Sequence, residues 1–359
     1  MALRFLFIFF ILSSCYLSDE VVPDQDVWKY ALPSDVGISN DSLLVIDSRA
    51  KIGGFEVING LIIIRNDKLI FENYYQNNNR QTTQNLGRAS MVFTLAAIGI
   101  AEDKRLLSIE DPIADYLPEY ENIFQDNIGK QEITIAHLLA HRGGFSWNES
   151  IEPRFSDNNN LNQMKASEDW ARFVLDQPLE APAGLRFNLN TGTGVILGKI
   201  IENASGQDFV SFLTENILDP LLIDSLTIST DPNGNYNGGD GIELSLIDWT
   251  KFGYLILNEG IWRGRKIIDP NFLLNTTSTQ TTVSGTFELG YVWWLFGDDF
   301  ANAFGIDHED IFYIPGELGQ HMYIIPSEKM IVSIFADNFF FGFVNPSLNL
   351  FAEITYTLQ

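Results

Sequence analysis

Ser90 is the residue whose setting most invites chemistry. It stands in Arg88-Ala89-Ser90-Met91, at what reads as the first turn of a helix opening an apolar run from Phe93. A serine hydroxyl becomes a useful nucleophile when a base can take its proton. The position one helical turn on, which shares its face, holds Phe93, so no base is supplied there. His137 and His141 are four residues apart, a spacing that can bind zinc on a helix. No Glu follows His137 and no third ligand is evident, which favours a structural role. Asp231 to Gly241, DPNGNYNGGDG, has a hint of a calcium loop. Tyr236 stands where such a loop needs Gly, and Ile242 where it needs Glu, so it reads as a polar turn. No metal and no cofactor are expected. Trp293 and Trp294 could line a cleft. Adjacent strand residues face opposite sides, so one ring belongs to the core and the other to the rim.

The chain has 359 residues, with 45% hydrophobic and 13% aromatic content. That is enough for one large or two medium domains with a proper core. The formal net charge of −25 argues against a nucleic-acid partner, because nothing could neutralise a run of phosphates. At the N-terminus Arg4 precedes an apolar run from Phe5 to Leu12, too short to span a bilayer and shaped like a secretion signal. Leu12-Ser13-Ser14-Cys15 resembles a bacterial lipobox, in which the cysteine is lipidated. Cys15 is the only cysteine in the chain, so no internal disulfide is available. The expected order is a signal peptide over 1–14, an acidic tether over 15–28 and a folded domain over 29–359. Such a protein would be exported and lipid-anchored at the cell envelope, on the outer membrane or the cell surface.

The elements that must position any site follow from periodicity and punctuation. FEVINGLIIIRNDKLIFENYY holds two β-rich runs joined by Asn66-Asp67, a hairpin signal. From Phe93 an amphipathic helix runs toward a short acidic loop, and Ala97 and Gly99 would let another element approach it. EITIAHLLAHRGGF predicts a short helix closed by Gly143-Gly144. NESIEPRFSDNNNLNQ is a polar loop of a length that often lies over a binding site. SEDWARFVLDQP predicts a helix capped by Ser167, and GVILGKIIENASG one ending at Gly206. LSLIDWTKFGYLILNEG predicts a longer helix ending at Gly260. Strands follow from about residue 286, and NPSLNLFAEITYTLQ predicts a closing helix. Sequential βαβ alternation is absent, which argues against a doubly wound parallel sheet.

Four segments in order carry a resemblance to a known family. They are ITIAHLLAHRGGFSW, APAGLRFNLNTGTGVILGKIIE, GGDGIELSLIDWTKFGYLILNEGIWRGRKII and GELGQHMYIIPSEKMIVSIFADN. Together they resemble the β-lactamase-related serine hydrolases: class C β-lactamases, penicillin-binding carboxypeptidases and esterases of that fold. The resemblance covers most of residues 29 to 357. It implies an α/β fold in the α+β sense, β-lactamase/transpeptidase-like, with an antiparallel sheet flanked by helices plus a mainly helical region. The sheet part would come from 29–85 and 286–359, and the helical part from 86–285.

The family's chemistry uses a serine followed at i+3 by a lysine, a Tyr-x-Asn loop, and a Lys or His two residues before a Gly. An ungapped register through Phe93-Thr94, Gly99-Ile100-Ala101 and Asp111-Pro112 puts Arg88 at the serine and Met91 at the lysine. Phe187 and Gly198 bracket the second motif, which becomes Leu189-Asn190-Thr191. Gly316, Gly319 and Gln320 match the third, with Glu317 at its Lys or His. The resemblance therefore implies a retained frame whose reactive groups are gone. The expected function is a non-catalytic, lipid-anchored binding or assembly protein. The alternative is a working esterase, amidase or peptidase using Ser90 and rearranged machinery. Arg88 offers a planar fork suited to a small carboxylate or a peptide C-terminus, unless Glu317 closes the pocket by pairing with it.

Overall fold

The computed structural model describes residues 27–224, 226–284, 287–297, 310–338 and 345–358. The expected signal peptide over 1–14, Cys15 and nearly all of the expected tether over 15–28 lie outside the described residues. Ile58–Arg65 and Lys68–Tyr74 form the hairpin that Asn66-Asp67 predicts. Both turn residues have positive φ, 50° and 59°, as a two-residue turn matched to strand twist requires. Every residue of Ile58–Arg65 is buried, the mark of a central strand covered on both faces.

That hairpin meets the C-terminal strands, because Met330–Ala336 pairs antiparallel along the whole of Ile58–Arg65. The resulting nine-stranded sheet runs Lys29–Tyr30, Lys68–Tyr74, Ile58–Arg65, Met330–Ala336, His321–Ile325, Phe312–Pro315, Trp294–Phe296, Phe287–Leu289, Thr281–Thr282. Its neighbours are antiparallel except for the short parallel contact of Lys29–Tyr30 with Lys68–Leu69. Side chains alternate between two cores. Ile62, Ile64 and Trp293 belong to the core on the side of the helical region, while Leu61 and Ile63 belong to the core shared with the Asn40–Lys51 and Pro346–Thr355 helices, which Trp294 joins at its end beside Phe187. The Trp pair is thus split by the pleat.

The helix expected from Phe93 spans Met91–Asp103 and follows a 3-10 turn over Gly87–Ser90. It is not amphipathic: Met91 through Ala101 are all buried, as in a helix packed from every side. Gly99 permits the close approach expected of it, since a Cβ there would sit 2.4 Å from the Phe272 ring. Thr83–Asn85 leaves the large sheet and pairs with Ile242–Ser245 in a small three-stranded one. That pairing delivers the chain to Arg88, three residues further on.

Three helix boundaries differ from the sequence expectation. The helix expected to end at Gly260 spans Leu246–Leu257, and Glu259, at φ 53°, makes its left-handed stop. Ser167 does not cap Trp170–Asp176. Asp169 does, accepting from Arg172 N at 2.9 Å, while Ser167 ends the Asn160–Ala166 helix. The Ile135–Leu139 helix stops before Gly143-Gly144, with His141 left-handed at φ 53°. Arg142 N donates to His137 O and His141 N to Leu138 O, the paired bonds of a helix stop that glycine usually makes. His137 and His141 therefore do not share a helix face. Thr193–Ser205 ends at Gly206 as predicted, with φ 72°. No helix among the described residues is long and apolar enough to cross a membrane.

Candidate functional site

Gly87 begins the turn that carries Arg88. Its φ is +56°, and a Cβ there would lie 2.3 Å from Glu317 Cγ, so the Arg88 turn and the Glu317 turn are packed backbone to side chain. Leu86 N donates to Ile242 O at 2.9 Å, and Ile242 N donates to Ser90 Oγ at 3.0 Å. The Ser90 hydroxyl thus prolongs the small sheet's ladder. It is fully buried and does not line the cavity described below. Met91 is equally buried, within the helical core.

Leu189 lines the cavity. Asn190 is buried, and both polar atoms of its side-chain amide lack a partner among the described residues. Thr191 turns to Glu149, whose carboxylate accepts from Thr191 N at 2.9 Å, from Thr191 Oγ1, and from Trp147 Nε1 at 2.9 Å. Glu149 opens the polar loop, and Arg154, Phe155 and Asn159 of that loop also line the cavity.

Glu317 does not pair with Arg88. Its carboxylate forms an ion pair with Arg154 of the polar loop, and both residues line the cavity. Burial pushes the Glu317 carboxyl up from its ordinary range, while Arg154 pulls it down. Lys165 is held by Asp240 at 2.6 Å. Gly319 lies against Ser347, whose Oγ donates to its carbonyl at 2.7 Å. Gln320 is buried and reaches Gln84 at 3.4 Å. Arg88 is left half-buried with no hydrogen bond or ion pair to a described residue, and its Nε is enclosed without an acceptor.

Two histidines stand beside it. His141 Nδ1 accepts from Asn190 N at 3.3 Å, and burial, helped by the Arg88 charge, drives its pKa down to about 4. His321 contacts Tyr323 OH through Nδ1 at 2.6 Å and Asn345 Nδ2 through Nε2 at 3.1 Å. The amide must donate, so Nε2 accepts and Nδ1 carries the proton. Burial and then Arg88 lower its pKa to about 3. Both rings are therefore neutral at ordinary pH. His137 is occupied as a cap, its Nδ1 accepting from Thr134 N at 3.2 Å. Among the described residues no group of three or more His, Cys, Asp or Glu is placed to hold a metal. The Asp231 carboxylate is spent on the N–H groups of Trp170, Asn233 and Asn235.

These side chains enclose a cavity of about 690 Å³ at the start of the Met91–Asp103 helix, between helical region and sheet. Phe187, Leu189, Val283 and Trp294 form an apolar wall, and Arg88, His321, Tyr313 and Asn345 a polar one. Sequence reasoning passed over His321, Tyr313, Glu149 and Arg154. Period-two alternation puts His321 and Tyr323 on one face of their strand, a signal that could have marked the first of them.

A model of the family described as Beta-lactamase matches residues 57–349. The chain belongs to the beta-lactamase family. With that membership it is one of the β-lactamase-related serine hydrolases in the broad sense of the superfamily. Among curated proteins, Protein flp of Staphylococcus aureus (strain MRSA252) is 26% identical over 151 residues, 42% of this chain and 28% of that protein. The match thus spans well under a third of that relative's length. Two solved structures share the beta-lactamase-family fold. EstCE1, described as a hydrolase with promiscuous acyltransferase activity, superposes with a TM-score of 0.73 at 16% identity, covering 89% of this chain and 97% of that one. The octameric penicillin-binding protein homologue from Pyrococcus abyssi gives 0.67 at 18% identity, covering 88% and 77%. At such identities the likeness speaks for the fold alone.

Proposed function

We propose that this chain is a non-catalytic member of its family that holds a small acid, or the C-terminus of a peptide, in the cavity at Arg88. The observation that carries this reading is the Arg88 guanidinium, which lines the cavity with neither an anion nor a hydrogen-bond acceptor among the described residues. The family resemblance puts Arg88 at the nucleophile. An arginine has no nucleophilic atom and stays protonated at any ordinary pH. Met91 at the family's lysine cannot accept a proton, and Leu189 at its tyrosine cannot act as acid or base. The Ser90 hydroxyl, the remaining candidate, is bonded to Ile242 N away from the cavity. A planar guanidinium in a partly dry pocket binds carboxylate by charge-assisted hydrogen bonds. Calorimetric titration with N-acetylglycine and with N-acetylphenylalanine should show saturable binding to one site, and flat titrations with both acids up to tens of millimolar would sink the binding reading.

The proposal includes export and a lipid anchor at Cys15, motivated by the apolar run and Leu12-Ser13-Ser14-Cys15. Cys15→Ser is expected to block processing or to move the protein from the membrane to the soluble fraction on ultracentrifugation. Unchanged membrane association of that variant would remove the anchor from the account.

A further inference from the structure

We infer that the acid held at Arg88 carries an aromatic or branched apolar group close to its carboxylate, as an N-acylated apolar amino acid or a peptide ending in one does. The inference rests on the binding reading above and adds the ligand's chemical class.

Three observations carry it. First, the charged groups around Arg88 are already committed. Glu317 is paired with Arg154 and Lys165 with Asp240, while Glu149 accepts from Thr191 and Trp147 and Glu152 from Ser156. Among the described residues Arg88 is the cavity-lining cation with no partner, so one carboxylate satisfies the site and a second ligand charge finds no free counter-charge beside it. Second, the neighbouring polar rings offer little else. His321 is engaged through both nitrogens by Tyr323 and Asn345, and His141 by Asn190. Third, the wall beside Arg88 is apolar and aromatic. Phe187 meets Trp294 edge-on with centroids 6.5 Å apart, and His141 edge-on at 6.2 Å. Trp294 lies opposite Tyr313 across the strand pair. Arg88 lines the same cavity as Phe187, Trp294, Tyr313 and His321, and its charge acts on His141, Tyr313 and His321. Leu189 and Val283 extend the same wall. A ligand whose carboxylate meets Arg88 must therefore put its adjoining group against rings and aliphatic carbons. Many polar side chains line the rest of the cavity, so this apolar wall is the surface against which a ligand's apolar group is buried.

The test compares N-acetylphenylalanine, N-acetylglycine and N-acetylphenylalanine amide by calorimetry on the full folded chain. Burying the phenyl group should tighten binding of the first over the second by about 10-fold or more. The amide, lacking the carboxylate, should bind at least about 10-fold more weakly than the acid. Phe187→Ala, checked for an unchanged circular dichroism spectrum, should shrink the preference for phenylalanine over glycine. The comparison among ligands stands even if that variant does not fold. Equal affinity of the two acids would overturn the inference and leave the binding reading intact. Failure of both acids to bind, or an amide that binds as well as its acid, would overturn the binding reading and the inference with it.

Discussion

Taking the protein from pH 7 to pH 4 is expected to remove on the order of 6 kcal/mol of folding stability, about 3 from each of two buried histidines. His141 and His321 remain neutral in the folded chain down to about pH 4 and about pH 3. In the unfolded chain each takes up a proton near 6.5. The unfolded state thus binds more protons across this window, and stability falls as pH falls through it. The surroundings of each ring explain why the folded protein refuses the proton. His141 faces the Asn190 backbone N–H, the Phe187 ring and the Arg88 guanidinium. His321 faces Tyr313, Tyr323, Asn345 and again Arg88. Glu317 works in the opposite direction, because its raised carboxyl takes up a proton first in the folded state. Urea unfolding at pH 7, 5.5 and 4 measures the slope. His141→Asn, in which Asn tolerates the left-handed backbone, and His321→Gln should each flatten it by about half. A double variant with the wild-type slope would show that these histidines are not its source.

Arg88→Ala is expected to weaken binding of a simple carboxylate by about 10- to 100-fold, the usual worth of a charge-assisted hydrogen bond. Its unfolding midpoint should stay level or rise. Arg88 makes no hydrogen bond to a described residue, and its enclosed Nε is a desolvated donor that the change removes. Arg154→Ala should behave in the reverse way. Glu317 would be left in its pocket without its ion-pair partner, at a cost of about 1–3 kcal/mol. Glu317→Gln should tighten acid binding, since it removes a carboxylate whose charge acts on Arg88. A large stability loss in Arg88→Ala, restored by Glu317→Gln, would instead make those two residues the internal pair and contradict the geometry. Calorimetry and thermal unfolding on the four proteins distinguish the cases.

Much of the frame was legible because it is written in local chemistry. Asn66-Asp67 fixes a two-residue hairpin, and Gly206 stops a helix by adopting the backbone that glycine favours. The strands at both chain ends and the absence of alternation implied one sheet, and the pairing of Ile58–Arg65 with Met330–Ala336 is what joins its two halves. Local signals misled where another residue could do the same task. His141 takes the left-handed stop that Gly143-Gly144 suggested, and Asp169 the cap that Ser167 suggested. The side chains of the site are a different matter. Arg154 meets Glu317 and Lys165 meets Asp240 across long stretches of chain, and no periodicity encodes such meetings. Thr191 and Trp147 converge on Glu149 for the same reason. Arg88 was visible only because the family register pointed to its position.

The central claim is that the cavity holds an acid and does not attack one. Intact-mass spectrometry after incubation with a penicillin, and separately with a fluorophosphonate, tests it most directly. The account predicts an unmodified mass in both cases, because Arg88 and Met91 supply neither nucleophile nor base and the Ser90 hydroxyl is turned to Ile242 N. A stable covalent adduct that disappears in Ser90→Ala would contradict it and make this chain a working serine hydrolase.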